Sequence, residues 1–188
     1  TGWEALVGED TSAAVDKWRA DSAEGRVVTM LKHLTTAHVG GDWGYYLSGA
    51  DALRYDRISI PGISHAAAST GLYATRRTFV RAVLHASGPA GSASETKLTP
   101  LSEWYAFVHT EDPAYDAITS SWESHGLLGD LTSIDGASAP YASSHRLITS
   151  ESSSYPHGSV AVHGSSPQDA SGNFVFEPAW RYLYGVAP

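Results

Sequence analysis

The sequence predicts an α+β fold in which several helices pack against a small, mostly antiparallel sheet, with strands mainly in the C-terminal half. Three observations support this prediction. Apolar residues recur at helical spacing in the first half, short alternating segments lie after residue 158, and stretches rich in Ser, Gly and Pro separate the elements. The 188 residues can bury a core, and we expect a single globular domain over 1–188.

Helical periodicity dominates the first half of the chain. The clearest helix is predicted over 24–38, where Val27, Leu31 and Leu34 form one stripe before two glycines end it. A short segment at 58–63 alternates and then meets a proline, which is typical of a brief strand. The elements predicted here are helices at 12–20, 24–38, 48–56 and 72–86 and the strand at 58–63.

The second half begins with a stretch of small and polar residues, SGPAGSASET, which predicts a flexible surface loop at about 87–98. Asp112-Pro113 then starts a helix whose inner face carries Ile118 and Trp122. Two alternating segments, 159–163 and 173–177, are expected to pair as strands around an intervening loop.

Cysteine is absent, which excludes disulfides, thiol nucleophiles and thiolate metal sites. The net charge of −8 makes generic nucleic-acid binding unlikely. Neither an apolar run long enough to span a membrane nor a signal peptide is found in this chain, and its location stays open. The charge is uneven, since 57–94 contains four arginines and no acid. Such asymmetry favours attraction between opposite faces of the fold or between copies.

Histidine is abundant, but its spacing does not predict a metal site. His33 and His38 lie five residues apart, about 140° around a helix, so they cannot share a metal on one helix face. His38 is expected to be a core histidine near the helix end. His157 and His163 would face one side of a strand, where a third ligand could complete a site, but a solvated hairpin is favoured. No metal and no cofactor are expected.

Catalytic motifs are equally sparse. The G-x-S-x-G turn of a serine nucleophile is absent, and Ser64 beside His65 or Ser144 beside His145 is expected by chance in a serine-rich chain. Phosphate-binding glycine loops are also absent. Carboxylate pairs that could hydrolyse glycosides are available, but any acidic protein offers them. The pairs considered are Asp51 with Asp56 and Glu111 with Asp116.

Arg76 is predicted to lie on the apolar face of the 72–86 helix, beside Phe79 and Val80. A guanidinium there requires a carboxylate partner or a contact with another chain, because it keeps its charge. Since no acid lies within 57–94, the partner must come from elsewhere in the sequence.

The function favoured by these features is structural: a non-enzymatic assembly protein, such as a subunit or processed segment of a virion or other large shell. Its partners would be other protein chains in a homo- or hetero-oligomer, and a chain that starts at Thr1 is consistent with processing. The alternative is a secreted hydrolase, directed to carbohydrate, that uses carboxylates or histidine and stacks sugars on aromatic rings. The catalytic residues stay unknown. The predicted interaction residues are Trp43, Tyr45, Tyr46, Arg76, Arg77, Arg81, Trp180, Tyr182 and Tyr184.

Overall fold

A computed structural model describes residues 2–9, 13, 17–49 and 51–187. The chain forms two compact units, Thr1–Ile58 and Ser59–Pro188, and each is described by itself. The α-helices are α1 (Gly2–Val7), α2 (Ala23–Ala37), α3 (His65–Arg76), α4 (Tyr115–Ser124), α5 (Pro156–Ser159) and α6 (Glu177–Tyr184). The strands are β1 (Ser59–Ile63), β2 (Arg81–His85), β3 (Trp104–His109), β4 (Leu131–Ser133) and β5 (Arg146–Thr149).

The first unit is built around α2, which matches the bounds of the predicted helix at 24–38. Its buried face carries Val28 and Leu31, whereas Val27 of the predicted stripe is exposed. Ser22 caps it by accepting a hydrogen bond from the Gly25 amide at 3.0 Å. The predicted helix at 48–56 is wrong, because this stretch holds a bridge between Leu47 and Leu53 and a short 3-10 turn, Tyr55–Arg57. Of the predicted helix at 12–20, residues 12 and 14–16 lie outside the described residues, and the described residues 17–20 form no α-helix but lead into a 3-10 turn, Arg19–Asp21. Val28, Leu31 and Leu53 form the small core of this unit.

The second unit contains a five-stranded sheet in the order β1-β2-β3-β5-β4, and all of its strands are parallel. The predicted combination of helices and strands is confirmed, but the mostly antiparallel sheet drawn from the C-terminal half is wrong. The physical reason is burial on both faces. The central strand β3 is buried along its whole length and β2 along all but its first residue, so both lack the alternation that reveals a half-exposed strand.

The predicted helix at 72–86 is also wrong, because it merges two elements. Helix α3 ends at Arg76, and β2 follows from Arg81. Both segments are apolar, and the helical spacing across their junction is accidental. The predicted strands at 159–163 and 173–177 are wrong as well: α5 ends at Ser159, and the only pairing in that region is an antiparallel bridge between Gln168 and Phe174.

The helix predicted from Asp112-Pro113 is present as α4, with Ile118 and Trp122 buried as predicted. It begins later than predicted, at Tyr115, and its N-cap is Ala114 and not Asp112. The stretch 87–98 forms no helix or strand. None of the described helices is long and apolar enough to cross a membrane.

The core of the second unit lies between the sheet and the region of α6. Val83, Phe107 and Leu147 pack with Phe176 and Leu183 from the region of α6. Because the strands are parallel, their carboxyl ends all meet at one edge of the sheet, where the loops after β1, β3 and β5 begin. Ligands of open parallel sheets bind at this edge, so its side chains are considered next.

Candidate active site

Ser64 forms a one-residue turn between β1 and α3. Its backbone dihedrals, φ 55° and ψ −126°, lie in a region that side-chain-bearing residues rarely occupy. A serine before a helix normally caps it, yet the Ser64 side chain makes no capping hydrogen bond. Its residue surface is partly exposed. The turn therefore presents a hydroxyl at the sheet edge at the cost of backbone strain.

Gly62 makes the turn sterically feasible. A Cβ added at this position would lie 2.5 Å from the Ala66 carbonyl atoms and from the Ala67 amide nitrogen, which are backbone atoms that cannot move aside. Ala66 stands two residues after the serine, where its methyl group is tolerated. The local pattern is therefore Gly62-x-Ser64-x-Ala66 on a strand, a sharp turn and a helix.

The first turn of α3 adds hydrogen-bond donors beside the hydroxyl. The Ser64 carbonyl accepts from the amides of Ala67 and Ala68, so the helix proper begins at His65. Amides at the start of a helix lack acceptors within it, and they carry the positive end of the helix dipole. The His65 N–H is thus placed to stabilise negative charge that develops next to Ser64.

An aspartate–histidine pair lies in the segments that follow β3 and β5, with Asp112 in a loop and His157 in α5. His157 Nδ1 is 2.7 Å from Asp112 Oδ2, and only 1% of the Asp112 side-chain surface is exposed. The other carboxylate oxygen accepts from the Ala114 amide at 2.8 Å. A histidine that donates through Nδ1 to a buried carboxylate keeps Nε2 as its proton acceptor. The His157 side chain is 24% exposed and accessible from solvent.

Sheet topology brings the serine and this pair to one edge. Ser64 follows β1, Asp112 follows β3, and His157 follows β5, with β2 between the first two. Neighbouring strands are about 4.8 Å apart, so β1 and β3 are separated by about 10 Å. His157, which follows β5, is bonded back to Asp112, so proton transfer from Ser64 requires the imidazole to reach across the position of β2. The arrangement supplies a hydroxyl, a base, an orienting carboxylate and amide donors, which together suit acyl transfer.

His109, fully buried at the end of β3, ties the two loops together. Its Nδ1 accepts from the Glu111 amide at 3.0 Å, which leaves Nε2–H to donate to the Glu151 carbonyl at 2.7 Å. The Thr110 amide also donates to the Thr149 carbonyl at 2.8 Å. The loop that carries Asp112 is thereby fixed to the segment that leads to His157.

A cavity of about 240 Å³ lies beside the same edge, lined by His85, Ala161, Trp180 and Tyr184. His85 Nε2 is 3.1 Å from the Tyr184 hydroxyl. Burial lowers the pKa of His85 to about 4 and raises the pKa of Tyr184 to about 12, so both walls are neutral at pH 7. A larger cavity of about 740 Å³ lies elsewhere in the second unit, lined by residues of 139–186 that include none of Ser64, Asp112 and His157.

The structure places the predicted interaction residues in two groups. Trp43, Tyr45 and Tyr46 belong to the first unit, where they line a depression of about 350 Å³ and Arg57 stacks on the Tyr45 ring. In the second unit, the arginines and C-terminal aromatics make contacts within the fold. These are Arg76 with Glu95 (3.2 Å), Arg77 with the Arg76 carbonyl (3.1 Å), Arg81 with the Tyr182 carbonyl (2.8 Å), Trp180 with the Val160 carbonyl (2.7 Å), Tyr182 with the Ser144 carbonyl (2.9 Å) and Tyr184 with His85. Their predicted role in docking other chains stays a prediction.

Arg76 has the carboxylate partner that the sequence requires, since Glu95 lies just beyond the acid-free stretch. Its predicted position is wrong, however. It is the last residue of α3, with a side chain that is 39% exposed, and not the centre of an apolar helix face.

The other histidine predictions change in the structure. His38 is exposed at the end of α2 and is not a core residue. His157 and His163 do not share a strand face: the first binds Asp112, and the second packs against Phe174 at 5.2 Å between ring centroids. Among the described residues, no group of three or more His, Asp or Glu side chains could hold a metal ion.

Sequence reasoning missed Ser64, Asp112 and His157 as a set. Ser64 does not fit G-x-S-x-G because Ala66 replaces the second glycine, and the Asp112-Pro113 pattern indicates only the start of a helix. The available signal was a Gly-x-Ser-x-small pattern between a short strand and a helix, followed along the chain by Asp and then His.

Comparisons with known proteins identify no relative. No protein-family model, no curated protein and no solved structure matches this chain.

Proposed function

We propose that this protein is a serine hydrolase that cleaves carboxylic esters, with Ser64 as nucleophile, His157 as general base and acid, and Asp112 as the residue that orients the imidazole. The observation that carries the proposal is the strained Ser64 turn on the same sheet edge as the 2.7 Å Asp112–His157 hydrogen bond. Each role follows from the chemistry of these groups.

The first half-reaction forms an acyl-enzyme. Ser64 Oγ attacks the ester carbonyl while its proton passes to His157 Nε2, and the negative charge on the carbonyl oxygen is met by the His65 amide. Collapse of this intermediate breaks the bond to the alcohol, which takes the proton from His157. Water then repeats the sequence, and the acid is released with Ser64 regenerated.

The order of the three residues along the chain adds support by analogy. In α/β-hydrolases the nucleophile lies on a sharp strand-to-helix turn, and the triad follows in the order Ser, Asp or Glu, His. Ser64, Asp112 and His157 have this order, and they follow the first, third and fourth strands of a parallel sheet. This likeness concerns the arrangement of the site, and it supports the reaction class without identifying a substrate.

Hydrolysis of p-nitrophenyl butyrate by matched variants tests the proposal. Ser64→Ala and His157→Ala should each lower kcat by at least about 10³-fold, and Asp112→Asn should have an effect of similar order. The controls Ser69→Ala, His163→Ala and Glu111→Gln, which change a neighbouring residue of the same type, should keep most of the activity. A Ser64→Ala protein with wild-type kcat would overturn the proposal.

The assembly function and the carbohydrate-directed hydrolase remain predictions from the sequence. Neither gains a specific observation here: the aromatic residues considered for sugar stacking lie in the first unit, and contacts within one chain do not bear on assembly.

A further inference from the structure

We infer that the cavity lined by His85, Ala161, Trp180 and Tyr184 is the acyl-binding subsite of this enzyme and accepts a short, uncharged acyl group. The inference rests on the proposed function, because it assigns the group that would be transferred to Ser64. It is carried by the position of the cavity, its size and the chemistry of its walls.

The cavity adjoins the nucleophile on one side. The Ser64 amide donates to the His85 carbonyl at 2.9 Å, which fixes the nucleophile turn to the residue that forms one cavity wall. Ile63, just before Ser64, packs on the same apolar cluster as Trp180 and Tyr184. An acyl group bonded to Ser64 therefore has this cavity as its neighbour on that face of the sheet.

The general base adjoins it on the other side. His157 lies in α5, and the turn that follows this helix brings Ala161 to the cavity, with the Ala161 amide donating to the Gly158 carbonyl at 3.1 Å. Trp180 is fixed to the same turn, because its indole N–H donates to the Val160 carbonyl at 2.7 Å. The walls are thus attached to both members of the reacting pair.

Size and polarity define the occupant. A volume of about 240 Å³, in a depression open to solvent, is below the usual range for drug-sized ligands and suits a short chain. Three aromatic side chains and a methyl group line the space. Of the His85 ring nitrogens, Nε2 is hydrogen-bonded to Tyr184, whereas the buried Nδ1 has no partner among the described residues. A charged acyl group would lose its hydration there without an ionic partner. Short, uncharged acyl chains are the expected occupants.

A series of p-nitrophenyl esters from acetate to dodecanoate tests the assignment. For the wild type, kcat/KM should rise by up to about fourfold for each buried methylene, reach a maximum between the butyrate and octanoate esters, and fall at least tenfold by dodecanoate. Ala161→Phe should shorten the preferred chain and lower the hexanoate-to-acetate ratio of kcat/KM at least tenfold. Ala161 is exposed, so this variant is expected to fold.

The matched control is Ala117→Phe, which adds the same bulk at an exposed position of α4. If Ser64 variants lose activity but Ala161→Phe keeps the wild-type chain-length profile, the subsite is overturned and the proposed function stands. If no ester is hydrolysed and an active-site phosphonate does not label Ser64, both are overturned.

Discussion

At the scale of single residues, strain and burial mark the candidate site. Ser64 adopts a positive φ that its own side chain disfavours, and Gly62 is required because a Cβ would meet backbone 2.5 Å away. Strain of this kind persists only where the surrounding structure enforces it. Here the sheet on one side and α3 on the other hold the turn in place.

His85 provides a residue-scale prediction of pH dependence. Burial lowers its pKa to about 4 in the folded protein, against 6.5 in the unfolded chain, so only the unfolded state gains a proton between these values. Above pH 6.5 His85 is neutral in both states and does not reduce the unfolding free energy. As the pH falls from 6.5 toward 4, protonation of the unfolded chain lowers the unfolding free energy by about 3 kcal/mol in all.

Urea unfolding at pH 7.5 and pH 5.0 measures the effect. The wild type should lose about 2 kcal/mol more unfolding free energy between these pH values than His85→Gln, in which the titrating group is removed. All other groups titrate in both proteins and cancel in the comparison. Equal losses in the two proteins would show that His85 protonates freely in the folded state.

At the scale of elements, two loops carry the site and His109 connects them. We expect His109 to be a positioning residue, because its two ring nitrogens hold the Glu111 amide and the Glu151 carbonyl. Removing both contacts in His109→Leu should displace Asp112 relative to His157 and lower kcat about tenfold or more, with little change in KM. His109→Gln, which retains a donor and an acceptor, should recover part of the loss.

A proton NMR signal separates this role from general stability. The Nδ1 proton of His157, held on Asp112, should appear at low field in the wild type and shift or broaden in folded His109→Leu. His33→Phe, at an exposed position of α2, is the control. A His109→Leu protein that is less stable but keeps both kcat and the low-field signal would assign His109 to folding alone.

At the scale of the whole molecule, the sequence predicted some elements and not the topology. Helices α2 and α4 were recoverable because each has one buried stripe and a recognisable cap or stop. The parallel sheet was not, since strands covered on both faces lack alternation. Nor was the site, because Ser64, Asp112 and His157 meet only through strand order.

Charge follows the same topology. In the second unit, charges of both signs lie near the amino ends of the strands, where Arg81 and Glu103 are 3.8 Å apart. The loops at the carboxyl ends carry the acids Glu111 and Glu151. An acidic edge is expected to disfavour anionic substrates by repulsion at low salt.

The central claim is that Ser64 is a nucleophile activated by His157 and Asp112. Its most direct test is to treat the folded protein with a fluorophosphonate and locate the added mass by peptide mass spectrometry. We predict stoichiometric modification on Ser64, no modification in Ser64→Ala, labelling at least about 10³-fold slower in His157→Ala, and an unchanged rate in Ser69→Ala. Absence of labelling at Ser64, or an equal rate in His157→Ala, would contradict the claim.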